Sequence, residues 1–192
     1  MPTRILIAAA LLFSACGSSG DTGAKPDLSA STPELEQQLR EAAYMADVDR
    51  VADLLGQGAD PNAVDEDDRT PLMLAAYAAH TETALTLLEA GAEVTSKDAN
   101  ARTALMFAAS GPNPGVVAIL LQRGAQPDEQ DAEGYTALMW AASEGQTDNV
   151  QALLDHGADP LLRDKDDETA LDFARRNGRP DAARLLEGVS GE

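Results

Sequence analysis

A block of 33 residues recurs along the chain, and no other property restricts its fold as strongly. Thr70, Thr103, Thr136 and Thr169 stand 33 residues apart, as do the Gly-Ala pairs beginning at Gly58, Gly91, Gly124 and Gly157. Between these marks the chain reads TPLMLAA (70–76), TALMFAA (103–109), TALMWAA (136–142) and TALDFAR (169–175). An aspartate precedes each word at constant distance: Asp65, Asp98, Asp131 and Asp164. A unit this short cannot bury an apolar face alone, so neighbouring copies must stack and share one core.

Each recurring position has a physical reason. The threonine suits a helix N-cap, where its hydroxyl accepts an otherwise unpaired N–H. Pro71 then falls at the first helical position, where proline costs little. Leu72, Leu105, Leu138 and Leu171 predict one buried column, and Leu74, Phe107, Trp140 and Phe173 a second. The alanine pairs at 75–76, 108–109 and 141–142 are small enough for helices to approach closely. A second helix is predicted to begin near 81, 114, 147 and 180, with Pro114 and Pro180 at its start. Glu82, Asp148 and Asp181 follow, where the helix dipole favours negative charge. Gly58, Gly91, Gly124 and Gly157 suit the left-handed residue that ends a helix. Apolar residues are 44% of the chain and aromatic residues only 4%, a composition better matched to small packed helices than to a sheet sandwich.

The pattern D-x-x-G-x-T-P-L-H-x-A-A, followed by a second helix and G-A-D, resembles the ankyrin repeat over about residues 34–187. The resemblance implies an all-α solenoid of about five stacked helix-turn-helix units, at about 34–66, 67–99, 100–132, 133–165 and 166–190, with short hairpin fingers. Three departures stand out. The family's histidine after leucine is replaced by Met73, Met106, Met139 and Asp172, so its hydrogen bond is lost and a methionine ladder is expected to pack there. The hairpin glycine survives only at Gly134; Asp68, Ala101 and Asp167 replace it and imply less regular fingers. Gly111-Pro112-Asn113-Pro114-Gly115 predicts a distinctive link in the third unit.

Both ends read as caps. The first unit lacks the threonine word, but Thr32 and Pro33 start a helix with Leu35, Leu39, Ala42, Ala43 and Ala46 on one face. The last unit carries Arg175, Arg176, Arg179 and Arg184, a polar finish to a solenoid.

Ahead of the repeats, Ile5 to Phe13 is an apolar run of nine residues. That is shorter than the roughly 20 needed to span a bilayer, and it matches the centre of a secretion signal. Leu12-Phe13-Ser14-Ala15-Cys16 resembles a bacterial lipobox, with Phe13 departing from the family's preferred leucine. The resemblance implies a signal peptide over 1–15, lipid attachment at Cys16, and a tether over 16–31. Residues 17–31, rich in Gly and Ser, are expected to be disordered and to reach on the order of 20 Å. Gly17 rather than aspartate resembles outer-membrane lipoproteins facing the periplasm; a soluble periplasmic or secreted form is the alternative.

The formal charge of −19 repels nucleic-acid phosphates and favours encounter with a basic partner. With Cys16 the sole cysteine, an intrachain disulfide and a cysteine-rich zinc site are excluded. His80 and His156 occupy different repeat positions, and no base–nucleophile pair or phosphate loop is present. The acidic runs from Asp65 and Asp164 fail the calcium-loop pattern, because Thr70 and Thr169 stand where glycine is required. No catalytic, cofactor or metal residue is therefore assigned, and the methionine and aromatic columns read as core.

The family resemblance implies partner contact through finger tips and the exposed face of each first helix. Those positions are Glu66, Asp67, Arg69, Tyr77 and Ala78, then Ala99, Asn100, Arg102, Ser110 and Gly111. They continue at Ala132, Glu133, Tyr135, Ser143 and Glu144, and end at Lys165, Asp166 and Glu168. Arg69, Tyr77, Arg102 and Tyr135 are the expected anchors, since tyrosine and arginine dominate binding surfaces. The expectation is a monomeric, non-catalytic protein-interaction module held at a membrane. The competing readings are a protective or inhibitory factor for a periplasmic enzyme or basic toxin, and a weak cation-binding surface protein.

Overall fold

The computed structural model describes residues 32–190; the signal, Cys16 and tether expectations lie outside the described residues. Ten helices occupy that range: α1 (Pro33–Tyr44), α2 (Val48–Gly56), α3 (Pro71–Tyr77), α4 (Thr81–Glu89), α5 (Ala104–Ser110), α6 (Pro114–Gln122), α7 (Ala137–Glu144), α8 (Thr147–Asp155), α9 (Ala170–Arg176) and α10 (Pro180–Ser190). There is no strand among the described residues, only an isolated bridge between Lys97 and Thr103. The helices pair within each unit, and the pairs stack. Odd-numbered helices pack on one another as an inner row, and even-numbered helices form an outer row.

The starts of the inner helices are set locally, as the repeated words predict. The hydroxyls of Thr32, Thr70, Thr103, Thr136 and Thr169 each accept the N–H three residues on. Replacement of the family's histidine has a consequence beyond packing. Met73, Met106 and Met139 are buried, and in two of them the thioether sulfur accepts the N–H of its own cap residue: Thr103 to Met106 Sδ at 3.5 Å and Thr136 to Met139 Sδ at 3.4 Å. In the last unit the Asp172 carboxylate does the same work, accepting Thr169 N–H at 2.9 Å and the Thr169 hydroxyl at 2.7 Å.

The leucine column at 72, 105, 138 and 171 is buried, as are the alanine pairs. Each buried leucine contributes about 2 kcal/mol of transfer free energy. The second column is corrected: Phe173 is buried, but Leu74, Phe107 and Trp140 are only half-buried. Phe107 and Trp140 pack against the buried cluster and so form the border of the core rather than its centre.

Fingers join each outer helix to the next inner one, and their expected irregularity is not found. Asp68, Ala101 and Asp167 adopt φ of 59°, 60° and 63°, close to Gly134 at 87°. In all four fingers the turn aspartate N–H donates to the carbonyl four residues on: Asp65 to Arg69, Asp98 to Arg102, Asp131 to Tyr135 and Asp164 to Glu168. Successive fingers also bond to each other, through Ala99 N–H to Asp67 O, Ala132 N–H to Asn100 O and Lys165 N–H to Glu133 O. These bonds offset the roughly 1–2 kcal/mol of strain at each left-handed non-glycine residue.

The link at 111–115 is distinctive, as expected. Gly111 is extended (φ −84°, ψ 168°), whereas its counterparts Met45, Ala78 and Asn177 have ψ of 1°, 0° and 5°, and Pro112 follows it where the other units place Ala46, Ala79, Gly145 or Gly178 at positive φ. Asn149 of α8 closes it from behind: its Nδ2 donates to the carbonyls of Gly111 at 2.6 Å and Ala109 at 3.0 Å. One further slot connects units. His80, Asn113, Gln146 and Arg179, each 33 residues apart, donate to the Tyr44, Ala79, Ser110 and Ser143 carbonyls at 3.2, 2.8, 3.3 and 3.1 Å.

Candidate functional site

The four fingers share one construction. The Oδ1 atom of the turn aspartate accepts two backbone N–H groups, from residues two and four further on. For Asp65 these are Asp67 and Arg69, for Asp98 Asn100 and Arg102, for Asp131 Glu133 and Tyr135, and for Asp164 Asp166 and Glu168, all at 2.8–3.0 Å. The second carboxylate oxygen differs from finger to finger. Asp65 Oδ2 takes Arg69 Nε and Nη2, both at 2.8 Å. Asp98 Oδ2 takes Arg102 Nε at 2.8 Å and Nη2 at 2.7 Å. Asp131 Oδ2 accepts the Trp140 indole N–H at 3.2 Å, and Asp164 Oδ2 has no hydrogen-bond partner among the described residues. Burial pushes the Asp65 carboxyl up, yet the Arg69 and Asp67 N–H donors and the Arg69 guanidinium outweigh it and hold the group below its ordinary value.

The expected anchors consequently differ in kind. Arg102 is folded onto a fully buried carboxylate, with its guanidinium carbon 4.7 Å from the Phe107 ring centre. Arg69 is similarly held by Asp65 and, at 3.2 Å, by Asp67. Tyr135 lies edge-on between Trp140 and Phe173, with ring centres 5.7 and 5.1 Å away. Burial and then the Asp164 carboxylate raise its hydroxyl pKa above the ordinary value. Tyr77 is 41% exposed. Glu66, Asp67, Asn100, Glu133 and Asp166 stand exposed at the tips, together with Glu144 at the end of α7. Glu168 pairs with Arg176, and Ser143 Oγ accepts Asn177 Nδ2 at 2.8 Å.

Tyr44 was not among the expected contacts. Its ring stacks on Tyr77 with centres 6.5 Å apart and is itself 41% exposed. The 33-residue spacing between Tyr44 and Tyr77 was the available signal, hidden because the first unit lacks the threonine word. Beside this pair opens a groove of about 500 Å³, lined by Arg40, Glu41, Tyr44, Asp67, Arg69 and Leu74 among others. Arg40 occupies the methionine slot of the first unit, and its Nη1 is buried without a hydrogen-bond partner among the described residues. At the far end, Arg175 pairs with Glu187 and Arg184 with Asp181, in keeping with a capping end. Among the described residues no group of three or more His, Cys, Asp or Glu could hold a metal ion. No helix there is long and apolar enough to cross a membrane.

An inner row of helices, a parallel outer row and a comb of bonded fingers define a solenoid-type binding scaffold. The family model for ankyrin repeats (three copies) matches residues 39–131 and 105–190, and the chain belongs to that family. Its repeats mark it as a protein–protein interaction module of a generally non-catalytic family. No curated protein matches the chain.

Proposed function

We propose that the chain is a membrane-tethered module that catalyses nothing itself and holds a client protein on its inner face, exposed to the periplasm or the cell exterior. The observation carrying this reading is the stacked Tyr44–Tyr77 pair, two large rings exposed beside a groove and a row of acidic finger tips. Stacked tyrosines offer wide contact area at low entropic cost, and desolvating them releases energy on binding. The net charge of −19 supports a basic client. The signal-like run and Cys16 support a lipid anchor, with the described domain as a monomer beyond the tether. Acidity also supports the second reading, in which the held client is an enzyme or basic toxin that the chain shields or blocks.

The test is affinity capture from the host envelope by the full chain and by a Tyr44→Ala, Tyr77→Ala double variant. One protein enriched by the wild type and lost with the variant, at unchanged thermal stability, is the expected result. Equal recoveries overturn the inner-face reading. Adding the chain to the purified client then separates holding from shielding, since only shielding changes the client's own activity. Metabolic labelling with radioactive palmitate, lost in Cys16→Ser, tests the anchor.

A further inference from the structure

The last finger lacks something that the earlier ones possess. Its turn aspartate, Asp164, is 8% exposed, and its Oδ2 has no hydrogen-bond partner among the described residues. In the fingers at 65–69 and 98–102 the same atom carries a two-pronged guanidinium. Glu168 stands where those fingers have Arg69 and Arg102, so the chain supplies a second carboxylate in place of the cation. An aromatic floor is nonetheless present. Arg176 from α9 lies over the Phe173 ring, 4.6 Å from its centre, much as Arg102 lies over Phe107 at 4.7 Å. Arg176 bonds Glu168 and leaves Asp164 Oδ2 unmet; its side chain is 51% exposed.

We propose that the last finger is a seat for an arginine side chain of the client protein. The incoming guanidinium bonds Asp164 Oδ2 and rests on Phe173 beside Tyr135, while Arg176 swings outward to make room. A buried carboxylate oxygen without a donor is costly, and a charge-assisted fork is the strongest way to satisfy it. Arginine is favoured over lysine because both filled fingers use Nε and Nη2 together on one oxygen, a geometry that an ammonium lacks. The seat rests on the reading that the inner face holds a protein.

The full chain, ¹⁵N-labelled, is titrated with N-acetyl-arginine amide, with the lysine and neutral citrulline analogues as controls. Saturable shifts are expected at the Asp166 and Glu168 amides with arginine, at least fivefold weaker binding with lysine, and no saturable shift with citrulline. Asp164→Asn keeps the Oδ1 turn and should weaken arginine binding about tenfold, roughly the effect of losing one charge-assisted bond. Arg176→Ala should tighten it severalfold. Glu168→Arg fills the seat from within and should abolish binding while raising Tm. Equal response to arginine and citrulline, or unchanged affinity in both Asp164→Asn and Glu168→Arg, overturns the seat. A client captured through Tyr44 and Tyr77 without any arginine response leaves the proposed function standing and sinks the seat alone.

Discussion

The fingers at 65–69 and 98–102 carry their own arginine on the turn aspartate, whereas those at 131–135 and 164–168 have Tyr135 and Glu168 in that slot. The backbone bonds are the same in all four. The front fingers are electrostatically closed, and the aromatic pair beside them, Tyr44 and Tyr77, remains exposed. At the rear the arrangement is reversed: Tyr135 packs edge-on against Trp140 and Phe173, and one buried carboxylate oxygen is left unpaired among the described residues. One side chain per unit thus decides whether a finger spends its charge on itself or keeps it for another molecule.

The sharpest way to break this comparison is at Asp98, whose side chain is fully buried against Arg102. Asp98→Ala strands a guanidinium and removes the turn acceptor, and urea unfolding should show a loss of about 3 kcal/mol or more. Glu168→Ala, at a half-exposed rear pair, should stay within about 1 kcal/mol in the same assay. Gly134→Ala comes next. A Cβ there meets Asp164 Cα at 3.0 Å on a backbone at φ +87°, so a loss of about 2 kcal/mol is expected. Trp140→Phe removes the indole donor to Asp131 Oδ2 while keeping an aromatic ring; far-ultraviolet circular dichroism during unfolding should register about 1–2 kcal/mol. In the front finger the opposite change, Ala101→Gly, relieves left-handed strain at a smaller cost in chain entropy, for a net gain of about 0.5 kcal/mol.

Acid should act on the front finger and on the start of the last inner helix. Asp172 is lowered first by the Thr169 N–H and then by the Thr169 hydroxyl, and Asp65 is lowered in the front finger. A carboxyl lowered on folding stabilises the fold above its unfolded pKa, and that contribution disappears as pH falls through the lowered value. Below about pH 4, the ordinary aspartate value, amide exchange should accelerate at Arg69 and Thr169 before Thr103 and Thr136. The Met106 and Met139 sulfurs that accept the latter two N–H groups do not titrate. Asp172→Asn should flatten the acid response at Thr169 and leave Arg69 unaffected; an unchanged profile would contradict the assignment.

The helices were legible because their starts are local: a threonine, the N–H three residues on and a leucine column suffice. Finger regularity was not, since Asp68, Ala101 and Asp167 look like broken glycine positions. What rescues them is the aspartate turn and the bonds between fingers, and the latter join residues about one repeat apart. Arg102 has the charge and repeat position of a surface anchor, and its four-residue spacing from Asp98 is the sequence trace of the fold-back. The role of Asn149 was out of reach, because its acceptors at 109 and 111 are defined only once two units have stacked.

The donors at His80, Asn113, Gln146 and Arg179 all reach backward, toward the unit made before them. A chain delivered N-terminus first therefore leaves each inner helix with bare terminal carbonyls until its successor arrives. Like a filament, the stack has a seed end and a growing end. Truncation from the two sides is correspondingly unequal: removing α9 and α10 strips the cap from Ser143, whereas removing α1 and α2 takes no such donor from any later unit.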